Sequence, residues 1–184
     1  MIFVDESHKK KGQSRRRRGR SRPHSDPFML VPGASGNAQP VSSVTAISID
    51  GYLGGKVIDV GADGNVDTDA FLAILEEDIL PYANRYNPVD PPEKSVIVFD
   101  NARTHDKLRI VLICEKVGVK SLFLPPYSYD LSPIELFFNT ALSKLKRNSR
   151  GNANSMKDQW NYALQNSSTP LNCVKYYEEC FFFE

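Results

Sequence analysis

The stretch SVIVFDNARTHDKLRIVLICEKVGVKSLFLPPYSYDLSPIELFFNTALSKLKR, residues 95–147, decides the fold. Val96, Ile97, Val98 and Phe99 form a short continuous apolar run, as in a strand buried on both faces, and the run stops at Asp100. Residues 104–117 carry Leu108, Val111, Leu112 and Glu115 at helical spacing, and Gly118 stands where a helix ends on a left-handed residue. VKSLFL at 119–124 is a second short strand. PPYSYDLSP is turn chemistry, and 133–147 is an amphipathic helix ending in Lys144, Lys146 and Arg147. Strand, helix, strand, helix in this order specifies parallel strands joined by helices.

Outward from this stretch, MIFVD is an apolar strand ending in Asp5. Residues 8–40 read as a loop, basic at first and then rich in Pro and Gly. VSSVTAISIDGYLGGKVIDV at 41–60 reads as a hairpin turning on Asp50-Gly51. At 67–82, Asp67 caps a helix carrying Phe71, Ile74, Leu75 and Ile79, which Pro81 ends. A proline-rich connector leads to Val96. After the central stretch, Ser155 caps a helix with Met156, Trp160 and Leu164, and Thr169-Pro170 opens a last one with Val174 and Tyr177. The fold class is α/β: a mixed sheet, an antiparallel meander followed by parallel strands, flanked by helices. Residues 1–184 are expected to form a single domain, with the basic loop at 8–40 and C-terminal helices at 155–180. The aromatic tail YYEECFFFE reads as core packing.

Composition is that of a globular protein, with 41% hydrophobic and 24% charged residues. The net charge of +1 conceals a strong asymmetry. Residues 9–22 hold nine of the 23 basic side chains and no acid: Lys9, Lys10, Lys11, Arg15, Arg16, Arg17, Arg18, Arg20 and Arg22. The remaining 14 face 22 acids on the rest of the chain. Such a tract grips nucleic-acid phosphates, acts as a nuclear-import signal, or is a solvated loop. Cys114, Cys173 and Cys180 are odd in number and lack C-x-x-C pairing, which opposes a zinc site or disulfide framework and fits a reducing compartment. No apolar run approaches the ~20 residues of a membrane span, and the N-terminus is too short and acidic for a signal peptide.

Asp5 and Asp100 each end an apolar strand, where sites gather in open α/β sheets, although a lone Asp there is also a common turn former. Ser132, Pro133, Ile134 and Glu135 form a capping box, and on local sequence alone Glu135 closes back on the Ser132 amide. Asp50 and Asp130 read as turn residues, and His8 and His24 lie in the basic loop without a visible partner. Three converging carboxylates would suit phosphodiester chemistry. Hard Mg²⁺ ions prefer oxygen ligands, and a pair of them activates the nucleophile and neutralises the leaving oxygen. Without metal the like charges repel, so such a site is sensitive to acid.

VDES at 4–7, VFDNARTH at 98–105 and LPPYSYDLSPIE at 124–135 together resemble the three catalytic motifs of the mariner-type DDE transposases. The 34 residues between Asp100 and Glu135 agree with a spacing familiar in that superfamily. The resemblance implies a ribonuclease H-like core, with Asp5, Asp100 and Glu135 as catalytic ligands of two Mg²⁺ or Mn²⁺ ions. It gives supporting places to Asn101, near the metal-bound loop or water, and His105, near phosphate or nucleophile. A helix-start residue packing locally is the other reading of His105. Two residues depart from the family's usual pattern: Tyr129 stands for Pro and Ser132 for Asn. Tyr129 loosens the turn and shifts Glu135 slightly. Paired helix-turn-helix domains precede the core in the family, whereas here the chain starts four residues before Asp5, so a core without recognition domains and with a shortened first strand is expected.

The function expected is a transposase-derived DNA endonuclease and strand-transferase core. The alternative is an inactive transposon relic or a host-recruited nucleic-acid-binding domain. Expected partners are DNA, held without sequence specificity by the basic tract, and a second copy in a homodimer, with no membrane and no small-molecule cofactor. The expected location is the nucleus in a eukaryotic source and the cytoplasm otherwise.

Overall fold

The computed structural model describes residues 1–10, 39–63, 66–101, 106–148 and 155–181. Five strands form one sheet: β1 (Ile2–Lys9), β2 (Val41–Ser48), β3 (Gly51–Asp59), β4 (Val96–Phe99) and β5 (Lys120–Phe123), in the order β3-β2-β1-β4-β5. The first three pair antiparallel, and β4 lies parallel to both β1 and β5. The meander-then-parallel reading is therefore correct.

β1 is longer than its apolar run. It continues through Lys9, pairing with β2 from Phe3↔Ile47 to Lys9↔Val41. Asp5 therefore sits inside the strand rather than at its end, and His8 and Lys9 belong to the sheet rather than to a loop. His8 is partnered, its Nδ1 lying 2.9 Å from Ser42 Oγ. The β2–β3 turn falls on Ile49 and Asp50, one residue earlier than the Asp50-Gly51 expected, and Gly51 opens β3 with φ 136°. Asp50 is held there by Lys94, 2.8 Å away. Within β3, a Cβ on Gly55 would stand 2.1 Å from the Val44 carbonyl oxygen, so only glycine allows the pairing at that point.

Helices cover both faces. On one, α2 (Thr68–Ile74) and α3 (Lys107–Val117) bury Phe71, Ile74, Ile110 and Cys114 against Ile2, Val4, Ala46, Ile97 and Phe99. α2 follows a short turn of helix, α1 (Val60–Asp63). Beyond Ile74 the coil widens into a π turn at Leu75–Ile79 and tightens into a 3₁₀ turn at Leu80–Tyr82, which accommodates Pro81 and its missing N–H. α3 starts three residues later than expected, because Asp106 caps it by accepting from the Arg109 amide at 3.2 Å, and it closes on Gly118 at φ 79°.

On the opposite face, α4 (Pro133–Asn148), α5 (Met156–Gln165) and α6 (Pro170–Phe181) bury Phe137, Phe138, Leu145, Trp160 and Tyr177 against Phe3, Ile47 and Val98. Tyr177 meets Phe3 edge-on at 5.4 Å, so this part of the aromatic tail is core, as expected; residues 182–184 lie outside the described residues. All three cysteines are free and buried. Among the described residues no helix is long and apolar enough to cross a membrane.

Candidate active site

Side chains alternate along a strand, so β1 delivers its residues to two faces. Ile2 and Val4 enter the α2/α3 core, whereas Phe3 enters the α4–α6 core. Asp5, Ser7 and Lys9 follow Phe3 on that second face. The parallel register of β1 with β4 ends at Val4↔Phe99. The next residues on the two strands are Asp5 and Asp100, which sets the carboxylates side by side at the middle of the sheet. Glu135 comes from the third position of α4, which packs over this face.

The capping box does not form. The Ser132 amide donates to the Tyr129 carbonyl at 3.1 Å, and the Glu135 amide donates to the Ser132 carbonyl at 3.1 Å. The Glu135 carboxylate is exposed and not committed to the helix start. A preceding 3₁₀ turn, Tyr129–Leu131, supplies the carbonyl that replaces it, which local sequence did not reveal.

The acids share one electrostatic field. Burial, then Asp100, then Glu135 push the Asp5 carboxyl up to about 8, even though Asp5 Oδ1 accepts from the Glu6 amide at 2.7 Å. Burial and Asp100 also raise the Glu6 carboxyl. Glu6 was missed in the sequence because it follows Asp5 on the strand and so points to the other face. Among the described residues no three acidic, His or Cys side chains close around one point.

Two further residues border the acids. Lys9 is buried with its Nζ 4.7 Å above the Trp160 ring and 5.7 Å from that of Phe138. Burial pushes its ammonium pKa down, while Glu135 and Asp5 pull it back up. The residue expected to lead a DNA-binding arm is thus turned inward over aromatic rings. Thr45 lies across from Asp5 in the β1–β2 register, fully buried, and its Oγ1 has no hydrogen-bond partner among the described residues. The signal that could have found both is the period of two in FVDESHK and SVTAI, which aligns Asp5, Ser7 and Lys9 with Ser43 and Thr45 on one face.

Asn101 lies just beyond Asp100, where its Oδ1 accepts from Lys107 Nζ in the first turn of α3. Lys10 is exposed at the end of the described segment. His105, Lys11, Arg15, Arg16, Arg17, Arg18, Arg20 and Arg22 lie outside the described residues.

The residues present suit a divalent cation. The donors are carboxylate oxygens, the choice of hard Mg²⁺ or Mn²⁺. Their mutual repulsion is what a cation relieves, and the orphaned Thr45 hydroxyl leaves one more oxygen beside Asp5.

A mixed sheet in this order, with helices on both faces, is a ribonuclease H-like fold. The chain belongs to the DDE superfamily endonuclease family, whose model matches residues 1–158. No curated protein matches the sequence. Among solved structures, the fold is similar to the Mos1 mariner paired-end complex with Mn, with TM-score 0.63 and 13% identity over 97% of this chain and 52% of that one. It is similar also to the Mos1 strand transfer complex, with TM-score 0.62 and 12% identity over 97% and 50%. For the catalytic domain of Mos1 mariner transposase the TM-score is 0.56 at 12% identity, over 97% and 76%. The chain spans about half the length of the Mos1 chains in those complexes.

Proposed function

We propose that this chain is the catalytic core of a transposase-type, divalent-metal-dependent DNA endonuclease and strand transferase. Asp5, Asp100 and Glu135 are its metal ligands. The observation that carries the reading is the Asp5 carboxyl: it is lodged in the central strand and pushed up to about 8 by burial and by Asp100 and Glu135, and no salt bridge holds it among the described residues. A fold gains nothing in stability from such a group, and acids perturbed in this way cluster where chemistry is done.

The roles divide by element. Asp5 is the rigid ligand, since pairing on both sides of β1 fixes its backbone. Asp100 stands beside it on the loop after β4, with Asn101 tying that loop to α3 through Lys107. Glu135, exposed at the start of α4, closes the set from above. When bound, two divalent ions activate the attacking water or hydroxyl and neutralise the leaving oxygen. Lys9 limits the repulsion among the acids without reaching solvent. DNA is the substrate, and the basic tract through Arg22 holds its phosphates; no residue in it suggests base readout.

Conversion of supercoiled plasmid to nicked circles in Mg²⁺ or Mn²⁺ tests the reading. The wild-type chain nicks, and Asp100→Ala is slower by about a thousandfold, the several kcal/mol of charge stabilisation that a misplaced ion forfeits. Activity falls as the medium is acidified, because protonated carboxyls do not hold the ions. Equal traces of nicking in both proteins would instead support an inactive, nucleic-acid-binding descendant. The exposure of Glu135 and the spread of the three acids favour that second reading.

A further inference from the structure

Two tyrosines stand out on the segment that joins β5 to α4. The Ser128 amide donates to the Pro125 carbonyl at 3.3 Å, closing a four-residue turn with Pro126 second and Tyr127 third. Tyr127 has φ 64°, the left-handed conformation that a third turn position normally assigns to Gly or Asn. The residue is 93% exposed, so no packing among the described residues offsets the strain. Tyr129, two residues on, is 74% exposed at the head of the 3₁₀ turn that leads into α4. A bulky residue held in a sparsely populated conformation, with its ring in solvent, points to use by a ligand.

We infer that Tyr127 and Tyr129 form a stacking platform for an unpaired DNA base next to the strand being cut. This rests on the endonuclease reading, because that reading is what places DNA over Glu135, eight residues after Tyr127. The chemistry of the segment selects the base rather than the backbone. Asp130 and Glu135 are exposed in the same stretch and repel phosphate, whereas a neutral aromatic face accepts a neutral base face. A base within a duplex has both faces covered by its neighbours, so only a frayed, flipped or overhanging nucleotide can be received. Stacking also tolerates any base, in keeping with DNA held through its phosphates by a basic tract.

The test uses the whole chain in EDTA at low salt, with a DNA duplex bearing a short single-stranded overhang that contains 2-aminopurine, and the same duplex made blunt. The wild type binds the overhang duplex more tightly than the blunt one and alters the 2-aminopurine emission. Tyr127→Ala and Tyr129→Ala each weaken overhang binding about tenfold and leave blunt binding unchanged, whereas the Phe variants keep the preference. Tyr127→Gly relieves the left-handed strain, so it melts no lower than wild type and yet loses the preference; a purely structural tyrosine would lower both. Equal affinity for the two duplexes, or alanine variants that bind both as wild type does, would overturn the platform and leave the surface to a protein partner. Plasmid nicking that persists without any overhang preference sinks the platform alone. Overhang binding through the tyrosines without nicking sustains the platform and sinks the endonuclease.

Discussion

The two faces of the sheet are built from the same strands and serve opposite ends. Toward α2 and α3, β1 and β4 present Ile2, Val4, Ile97 and Phe99 to a dry apolar core. Toward α4 and α5, β1 turns from Phe3 to Asp5, Ser7 and Lys9, and β2 from Ile47 to Thr45 and Ser43. There, hydrogen bonds and fields are added to packing: Trp160 Nε1 donates to Ser43 Oγ at 3.0 Å, Ser43 Oγ donates to the Ser7 carbonyl at 3.3 Å, and Lys9 lies over the Trp160 ring. Both faces contribute apolar burial, and only the second also holds like charges beside its core.

The strongest way to break this contrast is to cut into the dry face. Leu75 is fully buried in the π turn, and Leu75→Ala is expected to cost about 2–5 kcal/mol in chemical denaturation, transfer and cavity together. The same experiment on the polar face has the opposite sign. The Asp5 carboxyl rises from 3.8 to about 8 on folding, so the folded chain holds a proton that the unfolded chain has released across that interval. Its contribution to stability is whole below pH ~4, falls as pH rises, and is lost once pH passes about 8. Asp5→Asn is therefore expected to melt higher than wild type near pH 8, by a margin that shrinks toward pH 4, in thermal unfolding without metal. Added Mg²⁺ stabilises the wild type near pH 8 and not the variant. An Asn variant that melts lower at every pH would disprove the strained carboxyl.

Lys9→Met sharpens the comparison with a smaller effect. It keeps the stem over Trp160 and removes a buried cation that feels Asp5 and Glu135. We expect roughly 1 kcal/mol of destabilisation at pH 9, where Asp5 is mostly ionised, and less at pH 5, where it is protonated; in the Asp5→Asn background this pH dependence disappears. The smallest effect belongs to the surface. Arg109 and Asp69 join α3 to α2 at 2.6 Å with both side chains well exposed, so Asp69→Ala is expected to cost less than ~0.5 kcal/mol and to fade with salt.

Much of this was legible in the residues. The apolar run before Asp100, Gly118 after a helical period and Pro133 at a helix start each carry their reason locally, and they placed β4, α3 and α4 in the right order. The misread places were those where polar residues sit inside regular structure. Lys9 looked like the first residue of a basic arm, because a strand whose ladder continues under charged side chains has no apolar pattern to announce it. The capping box at Ser132 was a sound local expectation, overruled by a 3₁₀ turn that offers a nearer carbonyl. The strain at Tyr127 had no local sign, since Tyr is not a residue that left-handed positions select.

What the sequence determined by itself was the strand and helix order, because element type follows hydrophobic period and turn chemistry over a few residues; Asp5, Asp100 and Glu135 were singled out as candidates by the resemblance of their motifs to the family's. Only the tertiary structure decided that Asp5 is interior to β1, that it lies beside Asp100, and that Lys9 turns inward. These depend on the β1–β2 and β1–β4 registers, which are set by burial across residues far apart in the chain.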